Sequence, residues 1–96
     1  MKSGAQFKFR LYIAGDGPNS LLATANLNAI CAEHLSERHE IEIVDVILEP
    51  MRALADGVLL TPTLVRLSPA PVCKIVGALS PLERTLQLLG LPIKQL

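Results

Sequence analysis

The 96-residue chain has no tryptophan, one tyrosine and two phenylalanines, although half of its residues are hydrophobic. Its core must therefore be built from Leu, Ile, Val and Ala. Nine Lys and Arg balance nine Asp and Glu, and this lack of net charge argues against nucleic acid as a partner. No apolar run reaches the roughly 18 to 20 residues that span a bilayer. The absence of a membrane span, and of an apolar signal-peptide core near Met1, predicts a cytoplasmic protein.

Cysteine is also scarce. Cys31 and Cys73 have no second cysteine nearby, which excludes a Cys-x-x-Cys redox motif and a zinc ribbon.

Because repulsion between neutral copies is weak, we expect a homo-oligomer, a dimer or tetramer, when the protein is free. The length predicts a single domain over residues 1–96, with a flexible N-terminus at 1–6 and a tail at 91–96.

Hydrophobic patterning predicts an α/β domain with the element order β-α-β-α-β-β-α. A long helical stretch between two strand-like runs indicates a parallel crossover, and the last two strands are close enough in sequence to form a hairpin, so the sheet is mixed and four-stranded. The predicted strands are 7–13, 40–47, 64–67 and 72–76, and the predicted helices are 18–37, one beginning at Pro50 and one beginning at Pro81.

The last helix has the clearest start signal. Ser80, Pro81 and Glu83 fit a capping box with proline at the first helical position. A buried stripe is expected at Leu82, Leu86 and Leu89, and Gly90 followed by Pro92 should end the helix.

The element order, with Thr61-Pro62 before the third strand, resembles the thioredoxin-like fold. That resemblance implies a cis peptide bond at Pro62, facing the start of the first helix. The loop Asp16-Gly17-Pro18-Asn19 looks like a Cys-Gly-Pro-Cys loop whose two sulfurs have been replaced. A thiolate nucleophile is therefore missing from the place where this fold uses one.

Four blocks, 11–20, 43–46, 60–64 and 72–80, resemble the KaiB family of circadian clock proteins. The resemblance implies a non-enzymatic interaction module that binds a KaiC-type ATPase and autokinase and modulates its cycle, in circadian timing or a related stress response. A histidine kinase is a second candidate partner. The family also implies an alternative ground-state order, β-α-β-β-α-α-β, which exchanges with the thioredoxin-like form.

Departures from the family pattern affect two expectations, which of the two folds the chain adopts and which partners it binds. Leu88 stands where many relatives have glycine, which favours a helix in the last segment. We therefore expect the thioredoxin-like order, with a weak or missing switch between folds. Cys73 and Ala78 replace a basic and an acidic residue common in the family, and the acidic C-terminal tail is missing. These changes argue against KaiA as a partner.

The KaiB resemblance implies docking through the second helix. The expected partner contacts are Met51, Arg52, Ala55, Asp56, Gly57 and Val58. From the residues alone, Glu49, Arg52, Asp56 and Arg66 are most simply a solvated face. Asp45, in an apolar strand, should be paired or lie at the end of the sheet.

Three other interpretations compete with the interaction module. A small thiol- or glutathione-handling enzyme could use Ser20 or Cys31 near the Pro62 loop. Gly15-Asp16-Gly17 imitates part of a dinucleotide fingerprint, although a turn and helix cap explains it better. Cys31, His34 and His39 are too few for a zinc site and are better explained as one buried thiol and two solvated histidines. We expect no catalytic residue, cofactor or metal.

Overall fold

Seven elements follow one another in the predicted order, β-α-β-α-β-β-α, in a computed structural model that describes residues 6–91. The thioredoxin-like order is thus confirmed, and the alternative order β-α-β-β-α-α-β is not the one found. The elements are β1 (Phe7–Ile13), α1 (Pro18–His34), β2 (His39–Asp45), α2 (Pro50–Ala55), β3 (Thr63–Ser68), β4 (Cys73–Val76) and α3 (Leu82–Leu89).

The four strands form one mixed sheet in the order β2-β1-β3-β4. β1 pairs with β2 in parallel, because α1 returns the chain to the same edge before β2 begins. β3 pairs antiparallel with both β1 and β4. The result is a sheet with two open edges, β2 and β4, and with β1 and β3 at its centre.

Alternation along β1 divides the core into two clusters, one on each face of the sheet. Phe9 and Leu11 belong to the larger cluster, which includes buried residues of α1 and α3. Tyr12 belongs to a smaller cluster that contains Ala53 of α2. Since successive side chains of a strand point to opposite faces, α1 and α3 cover one face and the short α2 covers part of the other.

Two predicted boundaries are wrong by a few residues. α1 ends at His34, before the predicted Glu37, because Glu37 lies in a tight turn with φ of 61°. β2 is shifted toward the N-terminus relative to the predicted range 40–47: it begins at His39 and ends at Asp45. The Asp45 side chain accepts a hydrogen bond from the backbone N–H of Ile47 at 2.9 Å, which closes a turn where the strand was expected to continue.

The predicted helix at the end of the chain is present, but its capping box is not. α3 begins at Leu82, its N-cap residue is Pro81 in an extended conformation, and no side chain caps it. Leu82 is exposed, and Thr85 is buried instead, beside Leu86 and Leu89. Gly90 ends the helix in the left-handed conformation, with φ of 75°, as the glycine rule predicts.

The loop before β3 and the loop after β1 lie at the same end of the sheet, because Tyr12 is paired with Thr63. The Thr61-Pro62 peptide bond in the first of these loops is cis. No helix within residues 6–91 is long and apolar enough to cross a membrane.

The predicted flexible N-terminus (1–6) and the predicted tail (91–96) lie outside the described residues except for Gln6 and Leu91. Pro92, which was expected to follow the end of the last helix, also lies outside them. Of the parts that are described, the Gln6 backbone N–H donates to the Arg38 carbonyl at 3.1 Å. Leu91 is buried against the larger core cluster. Gln6 and Leu91 therefore both contact the rest of the domain.

Leu86 and Leu88 of α3 provide a matched pair for testing this packing. Leu86 is 2% exposed and Leu88 is 46% exposed. We expect Leu86→Ala to lower the free energy of unfolding by about 2 to 5 kcal/mol, because it leaves a cavity in the core. Leu88→Ala should change it by less than about 1 kcal/mol. Urea unfolding of both variants measures this, and equal losses would contradict the helical assignment of this segment.

Candidate functional site

Charged side chains on the α2 face of the sheet form a connected network. Arg10 of β1 donates from Nε to Glu42 Oε1 at 2.9 Å and from Nη1 to Asp56 Oδ2 at 3.0 Å. Arg52 of α2 donates to the other oxygen of Glu42 at 2.7 Å, and it lies 3.5 Å from Glu49. Glu42 therefore links the central strand to α2 through two arginines.

A buried tyrosine of β1 connects the end of α2 to the sheet. The Tyr12 side chain is fully buried, and its hydroxyl donates to the Asp56 carboxylate directly after α2. The same hydroxyl lies 3.1 Å from the Arg52 carbonyl oxygen. Because α2 has only six residues, far fewer than an isolated helix needs in water, these contacts and the packing of Ala53 are what hold it on the sheet.

The network shifts the titration of its members. Hydrogen bonds from Arg52 and then Arg10 lower the pKa of Glu42 from 4.5 to about 2. The hydrogen bond from Tyr12 lowers the pKa of Asp56, and Arg10 adds to this effect. Burial raises the pKa of Tyr12, with a further contribution from Asp56. At neutral pH both carboxylates are therefore charged and the phenol is neutral.

The outer side of this region is apolar and exposed. Ile47 and Leu48 precede α2, and Met51 and Leu54 lie one turn apart on it; each exposes between 65% and 78% of its surface. We call these four residues the α2 surface. Leu59 and Leu60, in the loop after α2, are also exposed. Contiguous apolar exposure of this kind is typical of a protein interaction site.

The predicted partner contacts divide into three groups. Met51, Ala55 and Gly57 are exposed. Arg52 and Asp56 are half-buried in the network. Val58 is buried at 8% exposure in the smaller core cluster, so it supports the helix from beneath and is not available to a partner in this conformation.

The interpretation of Glu49, Arg52, Asp56 and Arg66 as a solvated face holds for the exposed Glu49, whereas the other three side chains are partly buried. The first three belong to the network around Glu42 and Tyr12. Arg66 lies on β3 and donates to the Leu89 carbonyl at 2.9 Å and to the Pro71 carbonyl at 3.0 Å. It thereby joins the end of α3 to the β3–β4 turn, where a cation is favourable near the last carbonyls of a helix.

Sequence reasoning missed Arg10, Tyr12 and Glu42, although a signal for them was present. Lys8 and Arg10 alternate along the first strand, and Glu40 and Glu42 alternate along the second. In the parallel register Lys8 lies beside Glu40 and Arg10 beside Glu42. Opposite charges with matching alternation on two adjacent strands indicate cross-strand pairs.

The loop where thioredoxin-like proteins carry their cysteines contains no thiol. Ser20, in the first turn of α1, is buried, and its hydroxyl accepts a hydrogen bond from the Ala14 backbone N–H at 3.2 Å. Cys31 lies about 16 Å farther along the same helix, at the end remote from Pro62. Burial raises the pKa of its thiol to about 11. The expectation that Cys31 could act near the Pro62 loop is therefore wrong.

The remaining candidates have structural roles. Asp45 accepts hydrogen bonds from Gly15 and Ile47, so it fixes the turns after β1 and β2, as the pairing interpretation predicted. Gly15 has a φ of 60°, which explains a glycine in that turn without a dinucleotide. Within residues 6–91 no group of three His, Cys, Asp or Glu residues could hold a metal ion.

Sequence comparison identifies close relatives over most of the chain. The KaiB domain family model matches residues 10–91. The chain is 42% identical over 84 residues to the circadian clock protein KaiB3 of Synechocystis sp., covering 88% of this chain and 80% of that protein. It is 39% identical over 80 residues to the circadian clock oscillator protein KaiB of Cyanothece sp., covering 83% and 76%.

Structural comparison identifies the same fold in more distant proteins. The N-terminal domain of SasA from Synechococcus elongatus superposes with a TM-score of 0.73 at 17% identity, covering 92% of this chain and 84% of that one. Mitochondrial thioredoxin 3 from Saccharomyces cerevisiae gives a TM-score of 0.72 at 18% identity, covering 93% and 82%. These neighbours show a thioredoxin-like fold.

The lowered pKa values predict how stability depends on pH. Between about pH 4.5 and pH 2 the unfolded chain takes up a proton at Glu42 that the folded chain does not, so stability must fall as the pH is lowered through this range. Asp56 acts in the same direction. We expect Glu42→Gln to flatten the loss of stability between pH 5 and pH 2, measured by urea unfolding.

Glu40→Gln is the matched control, because Glu40 lies on the same strand and its contact with Lys8 is 3.9 Å long between half-exposed side chains. It should leave most of the pH dependence in place. If both variants show the same pH dependence as the natural sequence, the network does not hold the Glu42 carboxylate as described.

The buried position of Cys31 predicts a protected thiol. In a Cys73→Ala variant, which leaves Cys31 as the one thiol, we expect no reaction with an aromatic disulfide reagent at pH 8 until the protein unfolds, because the thiol is inaccessible and protonated. The labelling rate should rise with urea in parallel with unfolding measured by circular dichroism. Rapid labelling of the folded variant would contradict the described packing of α1.

Proposed function

Because this chain belongs to the KaiB family, we propose that it is a non-enzymatic clock-related protein that binds a KaiC-type ATPase and modulates its cycle, in circadian timing or a related stress response. The observation that carries the proposal is the α2 surface, which is apolar and exposed. The polar network of Arg10, Glu42 and Tyr12 holds α2 on the sheet. The named clock relatives support the choice of partner class.

Binding at this surface would bury side chains that water now surrounds. Met51 and Leu54 project from α2, and Ala55 and Gly57 extend the exposed area toward the end of the helix. Arg52 and Asp56 lie at its margin, where their charges can select a partner without being fully desolvated. Leu54 takes the place of the buried Val58 among the proposed contacts.

The network beneath α2 makes this surface pre-organised. Arg10, Glu42 and Tyr12 fix the helix from the sheet side, so a partner would not have to order it on binding. A rigid apolar surface loses less conformational entropy on association than a mobile one. This supports a role for the ion pairs in recognition as well as in folding.

An enzymatic function of the thioredoxin kind has little support from the site. The positions equivalent to the two catalytic sulfurs are Asp16 and Asn19, and neither side chain can form a disulfide. Ser20 is buried and engaged with Ala14, and Cys31 is at the other end of α1. We therefore propose that any catalysis belongs to the partner.

The proposal predicts that an acidic residue on the α2 surface weakens complex formation. Leu54→Asp should weaken binding to the KaiC-type ATPase of the same organism by at least about tenfold, because an apolar contact is lost and a charge must be desolvated. Size-exclusion chromatography of the two purified proteins, with ATP and separately with ADP, measures co-elution. The natural chain should shift into the complex with at least one nucleotide.

Leu21→Asp is the control, since Leu21 is a similarly exposed leucine on α1, across the sheet from α2. It should co-elute as the natural chain does. Failure of the natural chain to co-elute with either nucleotide would argue against the proposed function. Co-elution of the Leu54→Asp variant would place the interface elsewhere on the chain.

A further inference from the structure

β4 forms one edge of the four-stranded sheet. Among residues 6–91 its only strand neighbour is β3, so no strand of that range pairs with the other side of its backbone. The Gly77 N–H donates to the Pro62 carbonyl at 2.9 Å. This bond shows which alternate residues of β4 form backbone hydrogen bonds with β3. Cys73 and Ile75 therefore direct their backbone groups toward β3, and Lys74 and Val76 direct theirs outward.

A groove of about 200 Å³ follows this open edge. The outward strand residues Lys74 and Val76 form one wall, and Arg84, Thr85 and Leu88 of α3 form the other. The groove thus offers two unpaired N–H groups and two unpaired carbonyls, with side chains of a helix along its length. This is the arrangement that an extended peptide needs in order to add a strand.

The two charged residues that line the groove, Lys74 and Arg84, are both cationic. Lys74 and Arg84 are exposed and form no ion pair or side-chain hydrogen bond within residues 6–91. Every other Lys or Arg in that range contacts a carboxylate or donates to an amide or backbone oxygen. Lys74 extends toward Gly57 on the α2 face, where its charge acts on Asp56 without pairing with it.

Alternation places the two cations on opposite faces of the incoming strand. Ile75 is buried with α3, so Lys74 and Val76 point to the α2 face. Arg84 lies on the α3 face. A strand added to β4 would therefore meet one cation on each of its faces, and exposed apolar side chains, Val76 and Leu88, beside them.

We propose that the β4 edge binds an extended acidic peptide segment of a partner protein by strand addition. The peptide backbone pairs with Lys74 and Val76, and its carboxylates pair with Lys74 on one face and Arg84 on the other. A second copy of this chain fits less well, because a β4–β4 seam would gather the unpaired cations of both copies with no anion between them.

Amide hydrogen exchange measured by NMR on the full chain tests this proposal. The probe is an eight-residue peptide, Glu-Glu-Val-Val repeated twice, whose alternation puts both Glu and Val on each face. At saturating peptide we expect exchange at Lys74 and Val76 to slow at least about tenfold, because both amides gain hydrogen bonds. Cys73 and Ile75, which already bond to β3, should change little.

Matched variants separate charge from strand pairing. Lys74→Gln and Arg84→Gln should each weaken peptide binding by about threefold, the size of a cross-strand charge pair. Lys8→Gln removes the same charge on β1 and should leave the affinity unchanged. A peptide of Lys-Lys-Val-Val repeats should bind far more weakly.

Three results would overturn the proposal. The first is slowed exchange along β2 in place of β4, and the second is equal binding of the acidic and basic peptides. The third is slowed exchange at Lys74 and Val76 without peptide when the protein concentration is raised, which would make a second copy the occupant. Because the ATPase is absent from these measurements, their outcome is independent of binding at the α2 surface.

Discussion

The parallel pairing of β1 with β2 is the constraint on which the rest of the structure depends. In this register Arg10 lies beside Glu42, and Tyr12 lies beside Val44. β1 also pairs with β3 on its other side, and each of these two strands contributes buried residues to both core clusters. A shift of one residue would exchange its apolar and polar faces and would remove the base on which α2 rests.

A polar network holds the short α2 on the sheet, and this allows the apolar side chains of the helix to remain exposed. A helix of six residues is not stable by itself, and burial of Ala53 alone provides little area. The ion pairs around Glu42 are partly exposed and individually weak, but Tyr12 and Asp56 join them to the buried core. The helix can then leave Met51 and Leu54 in water, because its attachment does not depend on burying them.

The fold is that of thioredoxins, whereas the chemistry at its usual active end is missing. The cis Pro62 and the turn after β1 still lie at one end of the sheet, but the side chains there are those of Asp16, Asn19 and a buried Ser20. In our proposals the functional surfaces of this scaffold lie elsewhere, at α2 and at the edge of β4. A likeness of fold alone does not identify an activity.

The sequence by itself determined the element order, the aliphatic core, the family and the loss of the redox cysteines, because these depend on local periodicity and on short motifs. Through the KaiB resemblance it also led to the proposal that a partner docks on the second helix. Only the tertiary structure decided which residues of that helix and of the segment after it are accessible: Val58 is buried, Leu54 is exposed, and Arg52 and Asp56 are held by Arg10, Glu42 and Tyr12. The contacts of Asp56 with Arg10 and Tyr12 join residues more than 40 positions apart, and their distances follow from strand register and packing, which no local pattern contains.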